Sequence, residues 1–134
     1  MQVQTYLMMD GRAEEAILFY KKTLGATVGM LMRFKEAPEG SCAPGAEDKV
    51  MHAYLTIGET GVMISDGYNK GQSKFEGFAL SIATKTEAEN DKLIKALADG
   101  GEITMPASKT FFSPSFGMLK DKFGVQWMIL VAQP

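Results

Sequence analysis

The feature that most constrains this chain is a repeated order of elements: strand, helix, three strands, and then the same again. The glycines that end the two helices, Gly25 and Gly100, lie 75 positions apart, and the two leading strands keep that offset. In the first half, a strand over residues 3–9 leads into a helix over 12–24. There Ala13, Ala16, Ile17, Tyr20 and Leu24 recur with helical spacing and form one apolar face. Asp10 is the expected N-cap, Glu14 and Glu15 suit the positive end of the helix dipole, and Gly25 supplies a left-handed C-terminal stop. In the second half, a strand over 78–83 precedes a helix over 87–99. Thr86 and Glu89 read as its capping box, Leu93, Ala96 and Leu97 as its buried face, and Gly100-Gly101 as its end.

The remaining strands fall at 26–34, 50–57 and 61–65, and at 102–107, 115–120 and 125–131. Short turns at 58–60 and 121–124 join the last two of each set. The later strands drift from the common offset because residues 35–49, rich in Pro, Gly and Glu, make a longer loop than their counterpart. Few residues are shared between the halves, so the repeat is one of pattern. Neither half could bury both faces of its sheet alone. The expectation is an α+β fold: a single domain over 1–134 made of two βαβββ modules, about 1–70 and 75–134. Together they would form a curved mixed sheet with helices outside and a hollow inside. Such a hollow is where a small ligand is first sought.

Composition narrows the chemistry. A net charge of −2 and a pI near 5.4 remove the electrostatic basis for nucleic-acid binding. Hydrophobic residues at 46% and charged residues at 22% fit a globular chain rather than a disordered one. The longest apolar run, 127–132, is far short of the roughly 20 residues that span a bilayer. No basic segment followed by an apolar stretch opens the sequence, so a cytoplasmic location without membrane partners is expected. A single cysteine, Cys42, cannot close an intramolecular disulfide, and no basic neighbour within three residues would activate it. A single histidine, His52, excludes sites that need two.

Strand parity sorts the candidates. On 50–57, Met51, Ala53, Leu55 and Ile57 should pack under the helix, leaving His52, Tyr54 and Thr56 toward the hollow. His52 reads either as a partly buried, hydrogen-bonded residue or as a proton donor, acceptor or ligand contact. Asp66 stands at the open end of its strand, but Asp66-Gly67 is also a common turn pair. Phe111, Phe112 and Phe116 could wall a planar ligand or pack the core. Trp127, Ile129 and Val131 read as helix-covered, with Gln126, Met128 and Leu130 facing the hollow. Methionines 8, 9, 30, 32, 63, 118 and 128 all fall on strands, where they fill gaps or line adaptable pockets.

The segments DGRAEEAILFYKKTLGA, KVMHAYLTIG, VMISDG, ALADGGEITMP and above all FGMLKDKFGVQWM resemble the PhnB-like branch of the vicinal oxygen chelate superfamily. That superfamily also contains glyoxalase I, the bleomycin-resistance proteins and the fosfomycin-resistance thiol transferases. The resemblance implies paired βαβββ modules and a homodimer with cavities built between modules. Superfamily enzymes hold a divalent metal through the first and last strands of each module. The matching positions here are Thr5, Ile64, Gly77 and Met128, and none is a His, Glu or Asp. A hydroxyl and a thioether do not hold a hard cation or zinc. The resemblance with these departures implies a protein that binds a small organic molecule without a metal at those positions and without a cofactor. Two alternatives stay open: an acid–base enzyme built on His52, Tyr54 and Asp66, with or without a metal at a nonstandard position, and a structural dimer with a vestigial cavity. The expected ligand-binding residues are Thr5, His52, Tyr54, Ile64, Asp66, Phe112, Phe116 and Met128, with His52 the candidate for catalysis.

Some relatives carry a demethylubiquinone methyltransferase label. The sequence has no Gly-rich loop between a strand and a helix to hold such a cofactor, nor an acidic residue about 20 positions later for its ribose. The name of the branch comes from a phosphonate-utilisation gene neighbourhood, which suggests a phosphonate-related ligand. Arg33 and Lys35 could meet such an anion, or could simply mark an exposed strand end.

Overall fold

A computed structural model describes residues 1–38, 44–67 and 73–133, so Cys42 lies outside the described residues. The chain divides into two compact units, Met1–Ser73 and Lys74–Pro134. In the first, β1 (Thr5–Met8), α1 (Ala13–Leu24), β2 (Thr27–Arg33), β3 (Val50–Ile57) and β4 (Thr60–Ser65) follow in order, with one 3-10 turn at Phe34–Glu36. The sheet order is β1-β4-β3-β2, with β1 parallel to β4 and the other pairs antiparallel. Helix α1 carries the chain from one sheet edge to the other, and two antiparallel connections bring it back. Only the pair of strands that begins and ends each unit is parallel.

The second unit repeats the plan with β5 (Leu80–Thr84), α2 (Glu87–Ala98), β6 (Glu102–Ser108), β7 (Phe116–Lys120) and β8 (Gln126–Val131). Its order, β5-β8-β7-β6, again has one parallel pair, β5 with β8. The expected βαβββ modules are therefore present, as two four-stranded mixed sheets each with one helix. Pro106 sits on the edge strand β6, where its missing N–H leaves no central ladder bond unmade.

Each unit buries one sheet face under its helix. In the first, Leu7, Ala53, Leu55, Val62 and Ile64 pack with Ala13, Ala16, Ile17 and Tyr20 of α1. In the second, Leu119, Trp127, Ile129 and Val131 pack with Ile94 and Leu97 of α2. Helical periodicity located α1 well, although Phe19 is buried and Leu24 only partly so. On α2 the buried line is Asn90, Ile94 and Leu97, one step round the helix from the expected face, and Leu93 and Ala96 are half-buried.

The α1 cap differs from the expectation. Asp10 adopts φ 59° in a tight turn, and its carboxylate accepts the Ser73 N–H at 3.2 Å instead of capping the helix. Arg12 occupies the N-cap position without a side-chain cap. The missing acceptor comes from the far end of β4. Asp66 Oδ1 receives the N–H groups of Gly11 and Ala13, each at 2.8 Å. On α2 the expected Thr86 cap forms, Oγ1 accepting the Glu89 N–H at 3.1 Å. The reciprocal half shifts by one residue, because the Glu89 carboxylate accepts the Lys85 N–H at 3.3 Å.

Candidate functional site

The face of the first sheet turned away from α1 gathers the chemistry. Tyr6 pairs with Met63, Met63 with Tyr54, and Tyr54 with Met30, so these four share one rung across the sheet. Beside it stand Met8 opposite Ser65, and His52 opposite Met32. Opposed residues share a face, so the face combines thioethers with two phenols and one imidazole. It is open: Tyr6 retains 39% and Met30 45% of its surface exposed.

Tyr6 reaches across β4 to β3, and its hydroxyl lies 2.8 Å from His52 Nδ1. The two rings are 5.5 Å apart and tilted by 40°. Gln4 offers its amide N–H to the Tyr54 hydroxyl at 3.5 Å. The Tyr54 ring lies across Gly61 on β4, where any Cβ would collide with the ring and hydroxyl. Glycine at that position lets the phenol lie flat on the sheet.

Three expected contacts stand elsewhere. Ile64 is fully buried on the α1 side, and Thr5 shares that side, because Thr5 opposes Val62 and Leu7 opposes Ile64. The residues of β1 and β4 that face the open side are Tyr6 and Met63. Strand parity has a period of two, so Thr5 and Ile64 both lie on the face opposite that of Tyr6 and Met63. Asp66 is buried, and both of its oxygens are engaged: Oδ1 with Gly11 and Ala13, and Oδ2 with the Val50 N–H at 2.8 Å. Its carboxylate ties the start of α1 to β3, so it serves the backbone and is absent from the open face.

In the second unit, Met128 opposes Met118 and Ser81, and Met118 opposes Met105, again on the face away from the helix. Phe116 opposes Leu130 on that face. Its ring packs edge-on against Phe112 with centroids 5.2 Å apart, and Phe112 packs in the same manner against Phe111. Phe116 is buried by this cluster, while Phe112 remains 43% exposed. Gly77 precedes β5 at φ 80° and lies outside any strand.

The two cations weighed for an anionic ligand are already committed. Arg33 meets the Glu14 carboxylate with Nη2 at 2.6 Å and Nη1 at 3.3 Å, and also donates to the Asp48 carbonyl. Lys35 pairs with Asp48 at 3.0 Å. The Arg33 guanidinium, by its hydrogen bond, holds the Glu14 carboxyl below its ordinary value, and Lys35 does the same for Asp48.

Sequence reasoning also missed a buried polar network in the second unit. Asn90 donates to Ser115 Oγ at 3.3 Å and accepts from Thr84 Oγ1 at 3.0 Å, while Ser113 Oγ reaches the Val131 carbonyl at 2.7 Å. Asp121 likewise accepts the Trp127 indole N–H at 2.9 Å and the Phe123 and Val125 N–H groups. Polar side chains inside a helix face or turn give no periodic signal, although the Asp-Lys-Phe-Gly turn does mark Asp121 as a turn-former.

The positions that hold a metal in superfamily enzymes do not fit one here. Thr5 offers only a hydroxyl, Ile64 no donor, Gly77 no side chain, and Met128 a thioether unsuited to hard cations. Among the described residues no three His, Cys, Asp or Glu side chains converge.

Comparison with known proteins places these features in a lineage. The family model described as 3-demethylubiquinone-9 3-methyltransferase matches residues 1–130. Protein YjdN of Escherichia coli (strain K12) is 32% identical over 142 residues, spanning 99% of this chain and 97% of that protein. Protein PA1353 from Pseudomonas aeruginosa has a solved structure that superposes with a TM-score of 0.88 at 36% identity, covering 100% of this chain and 99% of that one. A PhnB protein from Bacillus cereus superposes at 0.82 with 33% identity, covering 98% of this chain and 100% of that one. A glyoxylase/bleomycin resistance protein/dioxygenase domain from Frankia sp. EAN1pec, 15% identical with a TM-score of 0.68, shares the fold over 99% of this chain and 98% of that one.

Proposed function

Since the chain belongs to the PhnB-like family, described as 3-demethylubiquinone-9 3-methyltransferase and sharing the vicinal oxygen chelate fold, we propose that it is a homodimeric protein that binds a small organic molecule without a metal at the usual superfamily positions. The observation that carries this reading is the open face of the first sheet, where methionines and aromatic rings surround a polar pair, Tyr6 and His52. Exposed apolar surface with a few convergent polar groups is the common makeup of small-molecule sites. The contacts proposed are Tyr6, His52, Tyr54 and Met63 in the first unit, and Phe112, Phe116 and Met128 in the second.

The methyl-transfer activity in the family's description is not carried into this proposal. A helix N-terminus commonly receives the anionic part of a cofactor. At α1 the N–H groups of Gly11 and Ala13 already serve the Asp66 carboxylate. Acid–base catalysis at His52 is the second reading, favoured by the Tyr6 hydrogen bond, since a partner that fixes ring orientation is what a proton-transferring imidazole requires.

A panel of small aromatic and aliphatic compounds, scored by thermal stabilisation with and without chelator, tests the first reading. Stabilisation that survives chelator is expected. Stabilisation that disappears with chelator, or none from any compound, overturns it. Turnover of any compound that is lost in His52→Ala with the fold intact would favour the second reading.

A further inference from the structure

We propose that His52 Nε2 and the thioethers of Met32 and Met30 form a binding site for a soft monovalent metal ion of the Cu(I) class. The inference goes beyond the organic-molecule reading and does not rest on it. It uses none of the positions that hold a divalent metal in superfamily enzymes.

The imidazole is oriented from its far side. Tyr6 on β1 meets Nδ1 at 2.8 Å, and the strand order β1-β4-β3-β2 puts β2 on the opposite side of His52. The two ring nitrogens point in diverging directions, so Nε2 is turned from Tyr6, to the β2 side. It makes no hydrogen bond among the described residues. A metal on Nε2 selects the tautomer in which Nδ1–H donates to the tyrosine oxygen. A hydrogen-bond acceptor of that kind on the second nitrogen is the usual companion of a metal-bound histidine.

Strand β2 supplies the sulfurs. Met32 opposes His52 directly, and Met30, opposite Tyr54, is its diagonal neighbour on the same face. Opposed Cβ atoms stand about 5 Å apart and diagonal ones roughly 7–8 Å, both within reach of unbranched methionine side chains. β2 is a sheet edge, Met30 is exposed, and His52 and Met32 are half-buried, so an ion can enter from solvent. The donor set chooses the ion. Two thioethers and one neutral imidazole suit Cu(I), whereas zinc and the harder divalent ions call for thiolate, carboxylate or several imidazoles. Among the described residues no cluster of His, Cys, Asp or Glu offers those ions an alternative.

The test is an anaerobic NMR titration of the whole chain with Cu(I), which is diamagnetic, following the methionine methyls and the ring of His52, the only histidine. The thiol of Cys42 competes for the ion, so a Cys42→Ser chain is titrated beside the native one. One Cu(I) per Cys42→Ser chain is expected to shift the His52 ring and the Met30 and Met32 methyls together. Zn(II) at equal concentration should leave those methyls unmoved. Tyr6→Phe, which frees the imidazole to turn, should bind Cu(I) about tenfold more weakly. Cu(I) that shifts neither methyl overturns the inference. So does an equal response of the methyls to Zn(II), or Cu(I) binding unchanged in Met32→Leu and in His52→Gln. Where any variant fails to fold, the native chain decides: a second equivalent of Cu(I), beyond the one held by Cys42, moves the His52, Met30 and Met32 signals or the inference falls. None of these outcomes bears on the panel of organic compounds, which tests the binding reading separately.

Discussion

A carboxylate at the end of a strand can serve a ligand or the backbone, and at Asp66 the donors around it decide. Three N–H groups from the β1–α1 turn, the first residue of α1 and the start of β3 converge on its two oxygens. Asp66→Asn would turn an amide donor toward at least one of those N–H groups. It is expected to cost about 2–3 kcal/mol, read from the denaturation midpoint. Ile64 is decided by burial. Ile64→Ala should cost about 2–5 kcal/mol as a core truncation. By contrast Met63→Ala, on the open face, should change ligand affinity more than stability, and comparing unfolding with titration separates the two. Parity alone marked His52, Tyr54 and Met128 as facing away from the helices, because alternation needs only the strand's own residues. Tyr6 was not legible in that way. Its role depends on His52, 46 residues later and two strands over.

At the scale of elements, caps and close approaches hold the helices in place. Thr86→Ala removes the oxygen that accepts the Glu89 N–H and should cost about 1 kcal/mol. Gly101 is more demanding. A Cβ there would strike the Lys120 carbonyl and lie 2.7 Å from the Asp121 carbonyl carbon, both of them backbone. Gly101→Ala should therefore cost about 1–3 kcal/mol or more, since the exit of α2 cannot move without disturbing the β7–β8 turn. The sequence marked Gly100-Gly101 as a helix stop, but the reason for the second glycine is this contact with a later strand. On α1, the Arg33–Glu14 ion pair ties helix to β2. Because the folded-state value of Glu14 is lowered from 4.5 by the Arg33 hydrogen bond, its stabilisation is present above pH 4.5 and is lost as pH falls through the lowered value. Glu14 is more than half exposed, so Arg33→Met should lower stability only slightly at neutral pH. That difference should shrink in high salt and vanish in acid, as paired urea titrations would register.

For the whole molecule, the dimer and the metal-free state are the expectations to measure first. Sedimentation should find the protein at twice its 14.6 kDa chain mass. Elemental analysis of protein purified without chelator or a histidine tag should find no stoichiometric zinc, nickel, manganese or iron. A stoichiometric metal would overturn the metal-free reading, and a monomer the dimeric one. The sequence by itself determined the two βαβββ units, their helices and the sorting of most strand residues between two faces. Each of those follows from local periodicity, caps and turns, in which a residue's neighbours along the chain carry the signal. The tertiary structure alone decided that Asp66 caps α1 from across the sheet, that Ile64 belongs to the core, and that Tyr6 meets His52. Those roles are set by which strands lie side by side, and hydrogen bonds between residues distant in sequence leave no periodic trace in it.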